Sequence, residues 1–600
     1  MKAVTITHLR REPDDEDDIH QRPLEFRLIW RLFSYTNPYA RKRNWLIALV
    51  ILRSVQLPTL WWMVSEVING PVTRLDARGT LLGAAGLLAW AAVTQFCFHF
   101  RQRLALELGE SVIQDLRRDI FAHLLKMPMS FFNRTKIGRI ISRFTSDAEA
   151  VRVGVQDVVF ITAVQAGQMI VCAVLMWWYD WPLFLVVVAM APVLAAMNYH
   201  FRRTLSRANR AVQESWSRVT ATLAESVTGI RVTQGFVRQE VNAGLFADLI
   251  TDHSKYNLGV ARASGILLPV LDLNSQIFNA ALLLLGGWRV LSPATHMDVG
   301  NLVRFFFLAG LFFASVQPIA QMYSQALTAM AGAERVFRLL DSKPDWEEPP
   351  TARDLPRIAG RVEFRDVSFG YGADRPALQE VGFVAEPGRI IALVGHTGSG
   401  KSSIINLVTK FYLPDRGAVM IDGFDTRTIK GDSLHHQMGV VSQQNFLFTG
   451  TVMDNIRVGR PAASDEEVIA AVRQLDFLDI IGSLSAGFST QVGERGASLS
   501  LGQRQLVCFA RAMLADPRIL ILDEATSSVD AVTEARIQRA LARLLEGRTS
   551  FVVAHRLSTI RHADLVLVLV HGRIVERGTH AQLLSQGGVY EKLYRQFVQA

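Results

Sequence analysis

Residues 79–100, 158–179 and 181–199 contain no Asp, Glu, Lys or Arg. Uncharged runs of this length match the ~20 residues that a helix needs to cross ~30 Å of hydrocarbon, so each predicts a membrane span. Three further apolar stretches carry one charge apiece: 44–65 holds Arg53, 265–288 holds Asp272 and 299–321 holds Arg304. Six spans are therefore expected. Between them, segments 101–157 and 200–264 carry ten and nine Lys or Arg, whereas the opposite-side segments 66–78, 180 and 289–303 carry three together. Basic residues stay on the cytoplasmic side of a membrane protein, which predicts two cytoplasmic termini. Both basic segments keep helical spacing (Ile113, Leu116, Ile120, Leu124; Val219, Leu223, Val227) and hold little Pro or Gly. The spans should thus continue as helices well beyond the bilayer.

The pattern changes after Ala333. Pro344, Pro349, Pro350 and Pro356 stand among charges in 341–358, which reads as a linker. Residues 359–600 then show short apolar runs alternating with helical patterns, as an α/β domain would. Ahead of the spans, residues 1–22 hold Glu12, Asp14, Asp15, Glu16, Asp17 and Asp18 and fit neither a secretory nor a transit signal. The predicted architecture is multi-domain: an acidic tail, an all-α six-helix transmembrane domain over 23–340, the linker and an α/β P-loop ATPase domain.

Composition agrees with this division. The 600 residues are 50% hydrophobic and 20% charged, which excludes a disordered or collagen-like chain. A net charge of +9 could signal nucleic acid, but much of the excess marks membrane topology, so no nucleic-acid partner is expected. The three cysteines Cys97, Cys172 and Cys508 are scattered, so neither a disulfide framework nor a zinc site is expected.

Polar side chains at membrane depth are costly and usually face a bundle interior or a water-filled path. Arg53, Gln56, Gln95, His99, Gln165, Gln168, Asp272, Asn274, Gln276, Asn279 and Arg304 meet that description. They either line a substrate pathway or serve the packing, the arginines by snorkelling or pairing with Asp272 and the amides by joining helices.

In the soluble half, the apolar run Ile390–Val394 leads into Gly395, His396, Thr397, Gly398, Ser399, Gly400, Lys401 and Ser402, then Ser403 and the helical pattern Ile404, Ile405, Val408. This is a P-loop in its strand–loop–helix setting. Its backbone N–H groups can close around phosphates, Lys401 can neutralise β and γ oxygens, and the Ser402 hydroxyl can ligate Mg²⁺. A second apolar run, Ile519–Leu522, ends in Asp523 and Glu524. At the carboxyl end of a buried strand beside the P-loop, Asp523 can hold Mg²⁺ and Glu524 can orient or deprotonate the attacking water.

With these motifs in order, residues 24–600 resemble the ATP-binding cassette (ABC) transporters, specifically exporter-type half-transporters of the multidrug and lipid kind. Tyr371, in Val-Ser-Phe-Gly-Tyr, resembles the residue that stacks on adenine. Gln443 is similar to the glutamine that touches Mg²⁺ and senses the γ-phosphate, with Ser442 where proline is frequent. Leu499-Ser500-Leu501-Gly502-Gln503 resembles the signature LSGGQ, Ser527 to Asp530 the D-loop, and His555 the switch histidine. The resemblance implies ATP and Mg²⁺ as cofactors, with Ser500, Gly502, Gln503 and Asp530 binding the nucleotide across a dimer, and Glu524, His555 and Gln443 as catalytic residues.

Segments Phe131 to Arg139 and Thr228 to Arg238 resemble the family's two intracellular coupling loops, and Glu494 the loop residue that meets them. Leu501 departs from the signature's usual glycine. In the family such a chain often pairs with a different one that lacks its own catalytic acid, so a heterodimer is favoured over a homodimer. The resemblance implies ATP-driven export of a hydrophobic or amphipathic drug, lipid or peptide through a bacterial inner membrane. Alternatives on the same architecture are an ATP-gated channel or regulator, and an importer of an iron chelate.

Overall fold

A computed structural model of the chain describes residues 26–291, 298–372, 376–523, 531–553 and 560–599. It divides into two compact units, Met1–His123 with Gly138–Ser342, and Leu124–Ile137 with Lys343–Ala600.

The first unit is helical. Its elements are α1 (Phe26–Ser34), α2 (Ala40–Val67) and α3 (Ala77–Lys126), whose end runs into the second unit. The short α4 (Met129–Arg134) belongs to the second unit, and α5 (Ile137–Ser142) leads back. Then come α6 (Ala148–Val153), α7 (Val159–Tyr179), α8 (Trp181–Thr228), α9 (Ile230–Gly235), α10 (Gln239–Leu291), α11 (Val299–Ala314) and α12 (Val316–Leu340). Among the described residues, four continuous helical stretches are long and apolar enough to cross a membrane: Asn37–Val72, Ala77–Lys126, Ile137–Tyr179 and Val299–Leu340. The spans expected at 181–199 and 265–288 fall within α8 and α10, of 48 and 53 residues.

The 50 residues of α3 extend about 75 Å, more than twice the hydrocarbon thickness. Past its apolar part, Leu108, Val112, Leu116, Ile120 and Leu124 recur every fourth residue and are all buried, so a single stripe holds the extension to its neighbours. Two tyrosines before α2 clip onto the same helix, Tyr35 Oη donating to Asp119 at 3.1 Å and Tyr39 Oη to Asp115 at 3.0 Å.

Inside the bundle, small residues allow close helix contact. A Cβ on Gly167 of α7 would lie 2.4 Å from Ser54 Oγ of α2, and that hydroxyl itself donates to Val164 O at 3.3 Å.

The structure sorts the polar residues expected at membrane depth. Gln168 Nε2 donates to Ser315 Oγ at 3.1 Å, joining two helices. Arg304 is buried, donates to Ser65 Oγ and Glu66 Oε1 at 2.7 Å each, and lies 4.5 Å over the Tyr179 ring. Among the described residues its acidic partner is Glu66. The side chains of Asp272 and Asn274 lie outside the described residues.

The second unit is built on sheets. An antiparallel sheet has the order β2 (Pro376–Ala385), β1 (Val362–Gly370), β4 (Arg416–Ile421), β5 (Phe424–Asp425). The main sheet runs β12 (Arg573–Gly578), β11 (Leu565–Val570), β3 (Ile390–Val394), β10 (Thr549–Val553), β9 (Ile519–Asp523), β6 (Met438–Val441). Only β12 is antiparallel to its neighbour. The inner strands are apolar and buried on both faces, as helix-covered parallel strands must be. The minor pair is β7 (Gly450–Thr451) with β8 (Gln491–Val492).

Helices of this unit are α13 (Lys401–Val408), α14 (Gly431–His435), α15 (Val452–Arg457), α16 (Asp465–Gln474), α17 (Leu478–Gly482), α18 (Leu501–Ala515), α19 (Ala531–Leu545), α20 (His580–Gln586) and α21 (Val589–Gln599). The proline-rich segment read as a linker is fastened to this unit. Glu348 pairs with the buried Lys410 at 2.8 Å and Asp354 with Lys430 at 2.9 Å.

Candidate nucleotide site

Strand β3 ends at Val394 and the chain turns through Gly395 (φ +155°), Gly398 (φ +82°) and Gly400 (φ +108°) into α13. Two of these glycines are sterically required. A Cβ on Gly395 would sit 2.4 Å from Leu569 O, and one on Gly400 2.8 Å from both Ala377 O and Leu378 Cδ2. Replacing Gly400 with alanine is expected to cost about 1–3 kcal/mol through strain and to abolish nucleotide binding, because the backbone oxygen it meets belongs to β2 and cannot yield. Thermal unfolding and titration with a fluorescent ATP analogue read both effects.

Lys401 is buried and reaches back over the loop, donating from Nζ to Gly395 O at 2.7 Å and His396 O at 2.9 Å. Burial lowers its pKa from the usual lysine value, with the charge of Asp523 acting in the opposite sense. The Ser399 hydroxyl is buried without a hydrogen-bond partner among the described residues. An unmet donor inside a glycine loop, next to a cation and a helix N-terminus, suits a phosphate oxygen. Thr397 and Ser402 are exposed.

Asp523 closes β9 opposite Val553 of β10. Strand β10 lies between β3 and β9 in the parallel sheet. The Asp523 charge still reaches Lys401, where it opposes the effect of burial. On the other flank Val441 of β6 pairs with Leu522, so exposed Gln443, two residues past that strand, lies near the carboxyl end of β9. The Ser402 hydroxyl, the Asp523 carboxylate and the Gln443 amide are hard oxygen donors of the kind Mg²⁺ takes. Glu524, Asp530 and His555 lie outside the described residues.

Tyr371 is partly exposed and packs edge-on to Phe369 (4.9 Å between centroids) and Tyr412 (5.2 Å). Its hydroxyl accepts from Asn406 Nδ2 at 2.9 Å and from Ser403 Oγ at 3.2 Å, which ties the ring to α13. A cavity of about 630 Å³ opens beside it, lined also by Gly372, Asp415 and Arg416. Tyr412 in turn accepts from Asn133 Nδ2 of α4 at 2.8 Å. Sequence reasoning missed Asn406 and Tyr412. Their only signal, a turn of spacing along the helix from the P-loop and an aromatic at its end, is too common to single out.

In the signature segment, Ser500 is the N-cap of α18. Its Oγ accepts from Gln503 N at 3.2 Å while Gln503 Oε1 accepts from Ser500 N at 2.9 Å. The reciprocal pair is a capping box, worth about 1 kcal/mol. Gly502 is buried in the first turn, whereas Leu501 is partly exposed beside the cap.

The ABC transporter transmembrane region matches residues 46–316, and the ABC transporter nucleotide domain matches residues 378–527. The chain is 36% identical over 590 residues to the uncharacterized ABC transporter ATP-binding protein YknV of Bacillus subtilis, covering 96% of each chain. It is 34% identical over 586 residues to an ATP-dependent lipid A-core flippase of Aromatoleum aromaticum (95% of this chain, 96% of that one). It is 36% identical over 513 residues to YheH of Bacillus subtilis, a probable multidrug resistance ABC transporter ATP-binding/permease protein (85% and 75%). A helical membrane domain thus shares one chain with a phosphate-binding α/β domain, and over nearly the full length the sequence follows proteins of the same build: the chain belongs to the ABC transporter family, as an exporter-type half-transporter that couples ATP hydrolysis to transport.

Proposed function

We propose that the chain exports a hydrophobic or amphipathic molecule across a bacterial inner membrane by alternating access, as one half of a dimer with both termini in the cytoplasm. What carries this reading is the single polypeptide that joins apolar helices, four of them long enough to span among the described residues, to a glycine loop in which the buried Lys401 bonds back to Gly395 O and the Ser399 hydroxyl has no partner among the described residues. The lipid A-core flippase and the multidrug protein among the relatives support an amphipathic substrate.

Within the nucleotide unit, Tyr371 stacks on adenine, residues Gly395–Ser403 enclose the phosphates and Lys401 neutralises them. Ser402, Gln443 and Asp523 would hold Mg²⁺, which supplies charge neutralisation at the β and γ oxygens when bound. Glu524 polarises the attacking water and His555 senses the γ-phosphate. Ser500, Gly502, Gln503 and Asp530 act across the dimer on the other protomer's nucleotide. ATP binds the closed pair more tightly than the open one, and that difference biases the membrane helices.

A second chain is also supported by α8 and α10, which pair chiefly with each other. They and α9 leave Trp216, Val227, Val232, Phe236 and Val237 exposed, between 56% and 81%. So large an apolar surface on one helical arm calls for a partner. Leu501 at the signature favours a different half-transporter as that partner, one whose own catalytic acid is missing and whose intact signature completes the site around Lys401 and Glu524.

The test uses sealed inverted vesicles containing the chain, with and without the half-transporter encoded beside it. ATP-dependent accumulation of an amphipathic dye against its gradient is expected, and only with the neighbour present. ATP-gated conductance without accumulation would remove the exporter reading. Full activity of the chain alone would remove the heterodimer and leave the exporter.

A further inference from the structure

The arginines of the membrane helices fall into two kinds. Arg304 is bonded to Glu66 and Arg289 to Asp180. Arg53 of α2 and Arg101 of α3 make no ion pair among the described residues, although Arg53 interrupts an apolar stretch and Arg101 ends one. A cation set among apolar side chains without an ion pair is expensive unless it meets an anion or water.

These two cations converge on one ring. The Arg53 guanidinium carbon lies 5.4 Å from the Phe98 centroid and that of Arg101 5.2 Å, while Phe98 itself is 41% exposed. Arg53 Nη1 and Arg101 Nε are buried with no hydrogen-bond partner among the described residues. So are both polar atoms of the Gln56 side chain, one helical turn from Arg53, and Thr94 Oγ1, one turn from Phe98. Trp90 Nε1 donates to Gln56 O at 3.2 Å and fixes α3 against α2 at this level. The bonds Arg101 does make go to a neutral group, Gln102 Oε1, at 2.9 Å. Asp157, whose charge reaches Arg101, accepts instead from Gln156 Nε2 at 3.3 Å.

We propose that Arg53 and Arg101, with Gln56 and Thr94, bind the acidic end of an amphipathic molecule at the exposed face of Phe98. Two like charges on one ring repel each other, and a single anion between them turns that repulsion into two attractions. The guanidinium fork matches the paired oxygens of a phosphate or carboxylate, and the amide and hydroxyl offer further donors. Because the cations are set among apolar residues, the ligand carries an apolar body behind its charge. As the transported molecule, this ligand rests on the exporter reading above; as a bound one, it does not.

The experiment uses the purified full-length chain in phosphatidylcholine nanodiscs and radiolabelled dodecyl phosphate, with empty discs subtracted. Saturable binding is expected, weakened about tenfold by Arg53→Gln and by Arg101→Gln, and largely kept by Arg53→Lys, which retains the charge. Unchanged thermal unfolding of the ligand-free variants separates lost binding from lost folding. Equal binding by wild type and both glutamine variants would overturn the site. Equal weakening by Arg53→Lys and Arg53→Gln in folded protein would remove the role of charge and overturn it too. Dodecyltrimethylammonium competing as well as dodecanoate would overturn the anionic class, and inorganic phosphate competing as well as dodecyl phosphate would overturn the amphiphile. With the second half-transporter reconstituted beside the chain, binding that obeys the arginines without any stimulation of ATP hydrolysis would uphold the site and remove its ligand from the transported class. Stimulation that ignores the arginines would do the reverse.

Discussion

Glu524→Gln is expected to lower ATP turnover at least about 100-fold, the usual scale for loss of a positioned base, while ATP still binds. Asp523 is the last residue of β9, held in register against Val553, and Glu524 follows it directly in the sequence. Glutamine keeps the size and hydrogen-bonding reach of glutamate but cannot accept the proton of the attacking water. The phosphate-binding groups, Lys401 and the glycine loop, are untouched. The closed ATP-bound dimer should therefore accumulate, detected as nucleotide that survives rapid gel filtration and as slowed opening of a spin-labelled pair. Turnover at the normal rate would take the base away from Glu524.

Lys401→Ala should weaken ATP binding by about 100-fold, since charge-assisted bonds contribute on the order of 1.5–3 kcal/mol each. The side chain is only 8% exposed and already bridges two carbonyls of its own loop, so its removal loses a phosphate partner and loosens the loop as well. Arginine is not an adequate substitute, because its larger planar head does not fit a site shaped for one ammonium group. Equilibrium binding of a fluorescent ATP analogue and vesicle transport should fail together. Transport that persists without nucleotide turnover would separate the two halves of the chain functionally and defeat the proposed mechanism.

Much of the site can be read along the chain because its chemistry is local. The P-loop is a contiguous run whose glycines answer to backbone constraints, and the structure gives three of them positive φ. The capping box at Ser500 and Gln503 is also visible as Ser-x-x-Gln ahead of an apolar helix. Asn406 and Tyr412 are different. They matter because α13 and the segment that follows it bring them against the Tyr371 ring at the end of β1, and strand order is not a local property. The same reason explains why β10 stands between β3 and β9. Hydrophobic runs identify buried parallel strands but not their neighbours.

In the membrane helices the division is similar. Uncharged length is sufficient to specify a helix in hydrocarbon, because every backbone polar group must be satisfied within the segment. The sequence alone therefore pointed to a helical membrane domain, to the change to an α/β domain, and to the phosphate loop. Only the tertiary structure decided which intramembrane charges are spoken for, pairing Arg304 with Glu66 and leaving Arg53 and Arg101 together on Phe98. Whether a buried charge is paired depends on which helix faces it, and helix facing is set by side-chain packing between segments far apart in the chain.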